Sequence, residues 1–235
     1  LFQYSLKYVI IYCTIIFFRR NKMALKRKSP QQENTNSNVE YTNLEAGEHE
    51  GRLVYIADLG LQKNSYKGEE KPDAQQIALG IEILGSSVTI DGVEKPRFLW
   101  TRPFYIYQSM SERGIELQMY KAFNTTAMEG EIADWDTVMG MPCNVIVKHQ
   151  VSGDRTYDNI DTITSIPAKY HDTIADARIK DMSIGDSDDE NNPAQKAMFG
   201  LTRWRFEQRL DAASSPKLSV VKPDADDDFE DDIPF

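Results

Sequence analysis

One ten-residue stretch, residues 75–84 (QQIALGIEIL), restricts the fold more than any other part of the chain. Ile77, Leu79, Ile81 and Ile83 alternate with Gln76, Ala78, Gly80 and Glu82. A period of two sets the four aliphatic side chains on one face of a strand, whereas a helix would scatter them around its axis. The stretch is therefore a half-buried strand, and its backbone N–H and C=O groups require partner strands. Neighbouring sequence supplies them. Residues 51–61 alternate loosely around Leu53, Tyr55, Ala57 and Leu59, with glycines that allow a bulge or a bend. Residues 64–73 are turn chemistry, and Asp91-Gly92 is a hairpin turn. Residues 97–107 (RFLWTRPFYIY) form an aromatic-rich strand that Pro103 makes an edge or a break. Residues 143–149 and 157–166 pair across Ser152-Gly153-Asp154.

Helices are few. Ile115, Met119 and Phe123 lie on a helical stripe within residues 111–123, weakened by Gly114. Residues 134–139 read as one helical turn with Asp134 as its candidate N-cap. Asn192 as N-cap and Pro193 at the first position open a later helix, with Ala194, Ala197, Met198 and Leu201 as its apolar stripe. Lys196, Arg203, Arg205 and Arg209 make the later turns of that helix basic. Short strands with turn signals, and one modest helix between the third and fourth, predict a mainly β chain built as a five-stranded Greek-key barrel.

The flanks differ from this core. Residues 1–28 carry seven Lys/Arg and no acid, and the final twelve residues carry seven acids. The formal total of −10 therefore leaves −10 on residues 29–223. A sequence-independent nucleic-acid binder presents a basic surface, so an acidic core qualifies only if its cations gather in one groove. Residues 1–22 hold an apolar run at 8–18 that falls short of the roughly 20 residues of a spanning helix. No small-residue cleavage site follows it, and Met23 opens Met-Ala-Leu-Lys-Arg-Lys in the manner of a start. The expectation is an upstream-translated or non-native segment, with no membrane involved. The alternative is a short membrane anchor with Arg19, Arg20, Lys22 and Lys26 to Lys28 on its cytoplasmic side. Residues 23–46 read as a disordered basic and polar arm, 47–170 as the barrel domain, and 171–212 as an acidic loop with a helical extension. Residues 213–235 read as a disordered linker and acidic tail. Cys13 and Cys143 have neither a partner pattern nor metal-ligand spacing, which points to a reduced cytoplasmic setting.

Catalytic signatures are missing. There is no phosphate-binding glycine loop, no Gly-x-Ser-x-Gly elbow and no His-Glu-x-x-His, and His49, His149 and His171 are isolated. Glu69-Glu70-Lys71 has only half the pattern of a nuclease site. The 186–190 acidic run lacks the glycine and the final glutamate of a calcium loop. The chain is read as a non-enzyme with no cofactor and no metal. What remains suits unpaired bases, because aromatic rings stack on any base while Lys and Arg track phosphates. Trp100, Phe104, Tyr105 and Tyr107 are interleaved with Arg97 and Arg102; Arg52 precedes Tyr55; Lys121 follows Tyr120; Lys148 and Arg155 lie in and beyond the late hairpin. Alternation sets Trp100, Arg102 and Phe104 on one face and Tyr105 and Tyr107 on the other, without saying which face is wet. Trp135, between two acids, reads as a core anchor.

The chain closes on DADDDFEDDIPF. Asp226, Asp227, Asp228, Phe229, Asp231, Asp232, Ile233, Pro234 and Phe235 join carboxylates to an apolar end beside the terminal carboxylate. A shallow apolar pocket with a basic rim would capture that combination. The ending resembles the C-terminal tip of bacterial single-stranded DNA-binding proteins, which recruits replication, recombination and repair partners. The segments GRLVYIADLGLQ, KPDAQQIALGIEI, DWDTVMGMPCNVIV and YDNIDTITSIPAKY look like the core of phage-encoded single-stranded DNA-binding proteins over roughly residues 47–212. That resemblance implies an oligonucleotide/oligosaccharide-binding (OB) fold and sequence-independent coating of single-stranded DNA in replication, recombination and repair. It also implies a cytoplasmic setting in a bacterial host, and it sets Lys148 and Arg155 beside the binding groove. Residues 1–22 depart from the pattern. A protein-interaction adaptor without DNA binding is the alternative, and a metal-dependent nuclease is a weaker one.

Overall fold

The computed structural model describes residues 39–40, 42–153 and 155–210. Its strands are β1 (Val39–Glu40), β2 (Gly47–Tyr66), β3 (Glu69–Ile90), β4 (Val93–Trp100), β5 (Phe104–Ile106), β6 (Pro142–Ser152), β7 (Arg155–Ser165) and β8 (Ser183–Ile184). Three short helices, α1 (Ile115–Lys121), α2 (Pro193–Lys196) and α3 (Gly200–Glu207), and two 3-10 turns complete the described residues. Among them, no helix is long and apolar enough to cross a membrane.

The fold is mainly β. Seven strands pair antiparallel in the order β1-β3-β2-β6-β7, with β4 and β5 also on β3, and β8 adds to β2 in parallel. The stretch read as a ten-residue strand is the middle of a 22-residue one, whose residues 69–83 pair with the 20-residue β2. Residues 64–73, expected as a loop, are mostly strand. The turn needs only Lys67 (φ 50°) and Gly68 (φ 80°), both left-handed, which matches the twist of the flanking strands. Register shifts between Leu53 and Tyr55, Asp58 and Leu61, and Gln62 and Asn64 bend so long a ribbon.

The sheet is not a closed barrel. No backbone ladder joins β4 to β7; instead the Arg97 guanidinium of β4 donates to the Asp158 carboxylate of β7. Asp158 also accepts from the Leu44 backbone N–H at 3.0 Å and from Asn43 Nδ2 at 2.9 Å. The main core lies inside this curved sheet, where Leu53, Ile77, Leu79, Ile81, Ile83 and Val145 meet Leu117, Tyr120 and Phe123 of the α1 region.

The opposite face of β3 is not exposed, contrary to the half-buried reading. Glu82 and Ala78 are fully buried, and Gln76 nearly so. Residues 174–206 cross that face. Ala177, Ile179 and Ala194 pack on Val54 and Tyr55, while Met198 and Phe206 pack on Ala57, Leu59 and Ala78. Polar anchors hold this strap. Arg52 donates to the carbonyls of Gly140, Ile174 and Ala175 at 2.7–2.9 Å. Glu82 accepts the backbone N–H groups of Arg178 and Ile179 at 3.1 and 3.0 Å. The helix expected from Asn192 begins as foreseen, with the Asn192 side chain accepting from Ala194 N–H at 2.9 Å and Pro193 at the first turn. It ends after Lys196 and restarts at Gly200, whose φ of 55° breaks the path. The break takes Leu201 out of the apolar stripe, and the residue is exposed.

Candidate nucleic-acid interface

Residues 97–107 are two strands rather than one, and the join decides which rings face outward. Gly80 pairs with Trp100 and Ile77 with Phe104, so three steps on β3 oppose four on the other side. The extra residue flips the alternation. Trp100 faces the strap and Phe104 the core, where it is 2% exposed. Trp100 and Phe104 therefore do not share a face, contrary to the alternation read for Trp100, Arg102 and Phe104.

Trp100 lies stacked on Tyr55 (6.3 Å between centroids) and edge-on to Phe98, with its indole N–H donating to the Ala197 carbonyl at 3.3 Å. This crossing requires Gly80, since a Cβ there would stand 2.9 Å from the Tyr55 Cβ and 3.1 Å from the indole. Tyr55 is buried with its hydroxyl donating to Asp181 at 3.0 Å, and burial, followed by that carboxylate, raises its pKa. Tyr120 is buried, its hydroxyl donating to the Asp134 carbonyl at 3.1 Å. In this conformation Tyr55, Phe104 and Tyr120 have no free face for a base, Arg97 is held in the ion pair with Asp158, and Arg52 is held by three carbonyls. For Tyr55 and Trp100 the sequence holds no local signal of this burial, because the strap that covers them comes from residues 174–206.

The other candidates face outward. Tyr105 and Tyr107 stand 6.5 Å apart at an interplanar angle of 32°. Tyr107 is 55% exposed and accepts from Asn64 Nδ2 at 3.2 Å. Tyr105 is half-buried and donates its hydroxyl to the Lys63 carbonyl at 2.5 Å. Burial pushes the Tyr105 pKa up, and the nearby Arg205 charge pulls it partly back. Behind them the buried Glu116 of α1 accepts the Tyr107 backbone N–H at 3.3 Å, fixing the end of β5, and burial raises its pKa. Arg102 is exposed and has no acidic partner among the described residues, and Lys63 meets Asp73 only at 3.7 Å. At the hairpin tip Tyr66 is 62% exposed with the Lys67 ammonium 5.4 Å from its ring centroid. The short β5 and the β2–β3 hairpin thus each present outward rings with cations nearby.

Lys121 and Arg155 are exposed and lack acidic partners among the described residues, whereas Lys148 pairs with Asp161 at 2.9 Å. On the β6–β7 hairpin, Tyr157 lies across from Gln150 and Arg155 across from Ser152, giving a second outward row of ring and cation. Lys63, Tyr66, Lys67, Tyr157 and Trp204 were not candidates in the sequence. Tyr66-Lys67 beside a glycine turn and Arg203-Trp204-Arg205 were the signals available. The tail residues Asp226 to Phe235 and residues 23–38 and 41 of the basic arm lie outside the described residues, whereas the end of that arm is ordered: Val39–Glu40 pair with β3, and Asn43 and Leu44 bond to Asp158. Comparison with known proteins returns no match, neither to a family model nor to a curated sequence.

Proposed function

We propose that the chain coats single-stranded DNA without reading its sequence, as an OB-type protein. The observation that carries this reading is the outward Tyr105–Tyr107 pair, held at the Lys63 carbonyl with the Arg205 charge nearby and exposed Arg102 in the same loop-and-strand segment, a combination suited to stacking bases and following phosphates. The strand order supports the OB part. β2 pairs with β3 and β6, β3 with β4, and β6 with β7, while the Arg97–Asp158 pair spans the β4–β7 seam that a closed barrel would zip with backbone. Helix α1 sits between the third and the late strands, where such a barrel carries its helix. The proposal includes partner recruitment through the 224–235 tip, action in phage DNA replication, recombination or repair, and a cytoplasmic setting in the host.

A second reading, a protein-interaction adaptor on the same fold, draws on the acidic core and on the burial of Tyr55, Phe104 and Tyr120. Substitution distinguishes the two. Tyr107→Ala is expected to weaken binding to an oligothymidylate by about 1–3 kcal/mol. Arg102→Gln is expected to lower the salt slope by about 0.7. Unchanged affinity in both variants would favour the adaptor.

A further inference from the structure

We infer that the C-terminal helix α3 adds a base-stacking and phosphate-binding element, Trp204 with Arg205, to this surface, and that its ligand is single-stranded DNA. The inference rests on the single-strand reading above.

The helix has a fixed inner face, because Thr202 and Phe206, four residues apart, are buried against the sheet at 2% and 1% exposure. Residue 204, midway between them, must point outward, and Trp204 keeps 36% of its surface exposed. A tryptophan serving only the core would sit on the inner face. The charges on the helix are also sorted. Arg203 is tied to Glu207 at 3.0 Å, and Arg209 reaches Glu190 at 3.5 Å while lying over the Phe206 ring. Arg205 has no acidic partner among the described residues, and its guanidinium lies 5.2 Å from the centroid of the Trp204 ring. An indole carrying a guanidinium, with no carboxylate to neutralise it, is a pairing that stacks on a base and meets the adjoining phosphate.

The element is continuous with the tyrosine pair. Gln62 Nε2 donates to the Arg205 carbonyl at 2.9 Å, and Leu210 N–H donates to the Leu61 carbonyl at 2.8 Å. The next residue of β2, Lys63, offers its carbonyl to Tyr105. The end of α3 is therefore bonded to the same stretch of β2 that holds Tyr105. Exposed Phe199 and Leu201 nearby would suit a protein partner instead; the acid-free cation favours the polyanion.

Tryptophan emission tests this directly. Trp100 and Trp135, the only other tryptophans, are packed against Tyr55 and Tyr120. Titrating the full chain with an oligothymidylate at low salt should quench its emission, and Trp204→Phe should remove most of the quench while keeping a stacking ring. Trp204→Ala should weaken binding about 5- to 150-fold, and Arg205→Gln should lower the salt slope by about 0.7. Undiminished quenching in Trp204→Phe, or an unchanged slope in Arg205→Gln, would overturn the inference, even if Trp204→Ala proves unstable. A protein partner lost in Trp204→Ala at unchanged DNA affinity would also overturn it. If the intact chain binds DNA with no quench, this inference alone fails. If it does not bind at all, the single-strand reading fails with it.

Discussion

Arg97 and Asp158 show how far a residue's type can be from its role. Arg97 reads in the sequence as a phosphate contact, yet it is 5% exposed and joins β4 to β7 across a seam that has no backbone ladder. Removing one member of a buried pair leaves the other charge uncompensated. Asp158→Asn and Arg97→Met are each expected to cost about 3–5 kcal/mol, measured by urea unfolding, and the two changes together should cost less than their sum, because no unpaired charge is then left buried. Glu116 gives a pH-dependent prediction. Burial raises its folded pKa, so the native state holds the proton after the unfolded state has lost it. Stability from this group is full below the unfolded carboxyl pKa and declines as pH rises through the raised one. Glu116→Gln should flatten that decline, which unfolding curves from pH 4 to 7 would register on the ordinary carboxyl scale of about 4.3; a parallel decline in the variant would assign the effect elsewhere. Cys143 is fully buried, which pushes its thiol up to about 12. In a Cys13→Ser background it should resist a thiol reagent until the protein unfolds. Residue chemistry was legible here and residue facing was not. One extra residue between Trp100 and Phe104 reverses the alternation, and nothing local announces it beyond Pro103.

Among the elements, the period of two in residues 75–84 and the turns at Asp91-Gly92 and Ser152-Gly153-Asp154 were enough to predict a mainly β chain with those hairpins, but not the full length of β2 and β3 or the split of residues 97–107. They were not enough to predict the strap. Residues 174–206 are mostly polar in sequence, and they hold to the sheet through Arg52, Glu82 and Tyr55 rather than through a continuous apolar stripe. That is why Gln76, Gly80 and Glu82 read as a solvent face and why residues 47–170 read as a separate domain. The strap makes a distinct prediction. A chain ending at residue 170 exposes Val54, Tyr55, Ala57 and Leu59 together and leaves Glu82 buried or bare without its two N–H donors. It should bind a hydrophobic dye and unfold at urea concentrations where a chain ending at residue 210 is native. Equal stability of the two would mean that the strap is only an attachment.

In the whole molecule, a curved sheet, the strap over it and outward rings with cations precede an acidic tip that lies outside the described residues. The composition tells against DNA binding on average, with −10 on residues 29–223, and the proposal depends instead on where the unpaired cations lie. Deleting Phe235 alone keeps all seven acids of the tip, so recruitment of replication proteins should fail while DNA affinity hardly changes. Recovery of the same partners by that variant would reduce the tip to a polyanion. The central claim is the preference for single strands, and a salt-resolved titration of the full chain against single-stranded and duplex DNA tests it most directly. Binding should be tighter to the single strand, with log K falling linearly against log salt at about 0.7 per phosphate contact. Equal affinity for the duplex, or no binding at low salt, would contradict it.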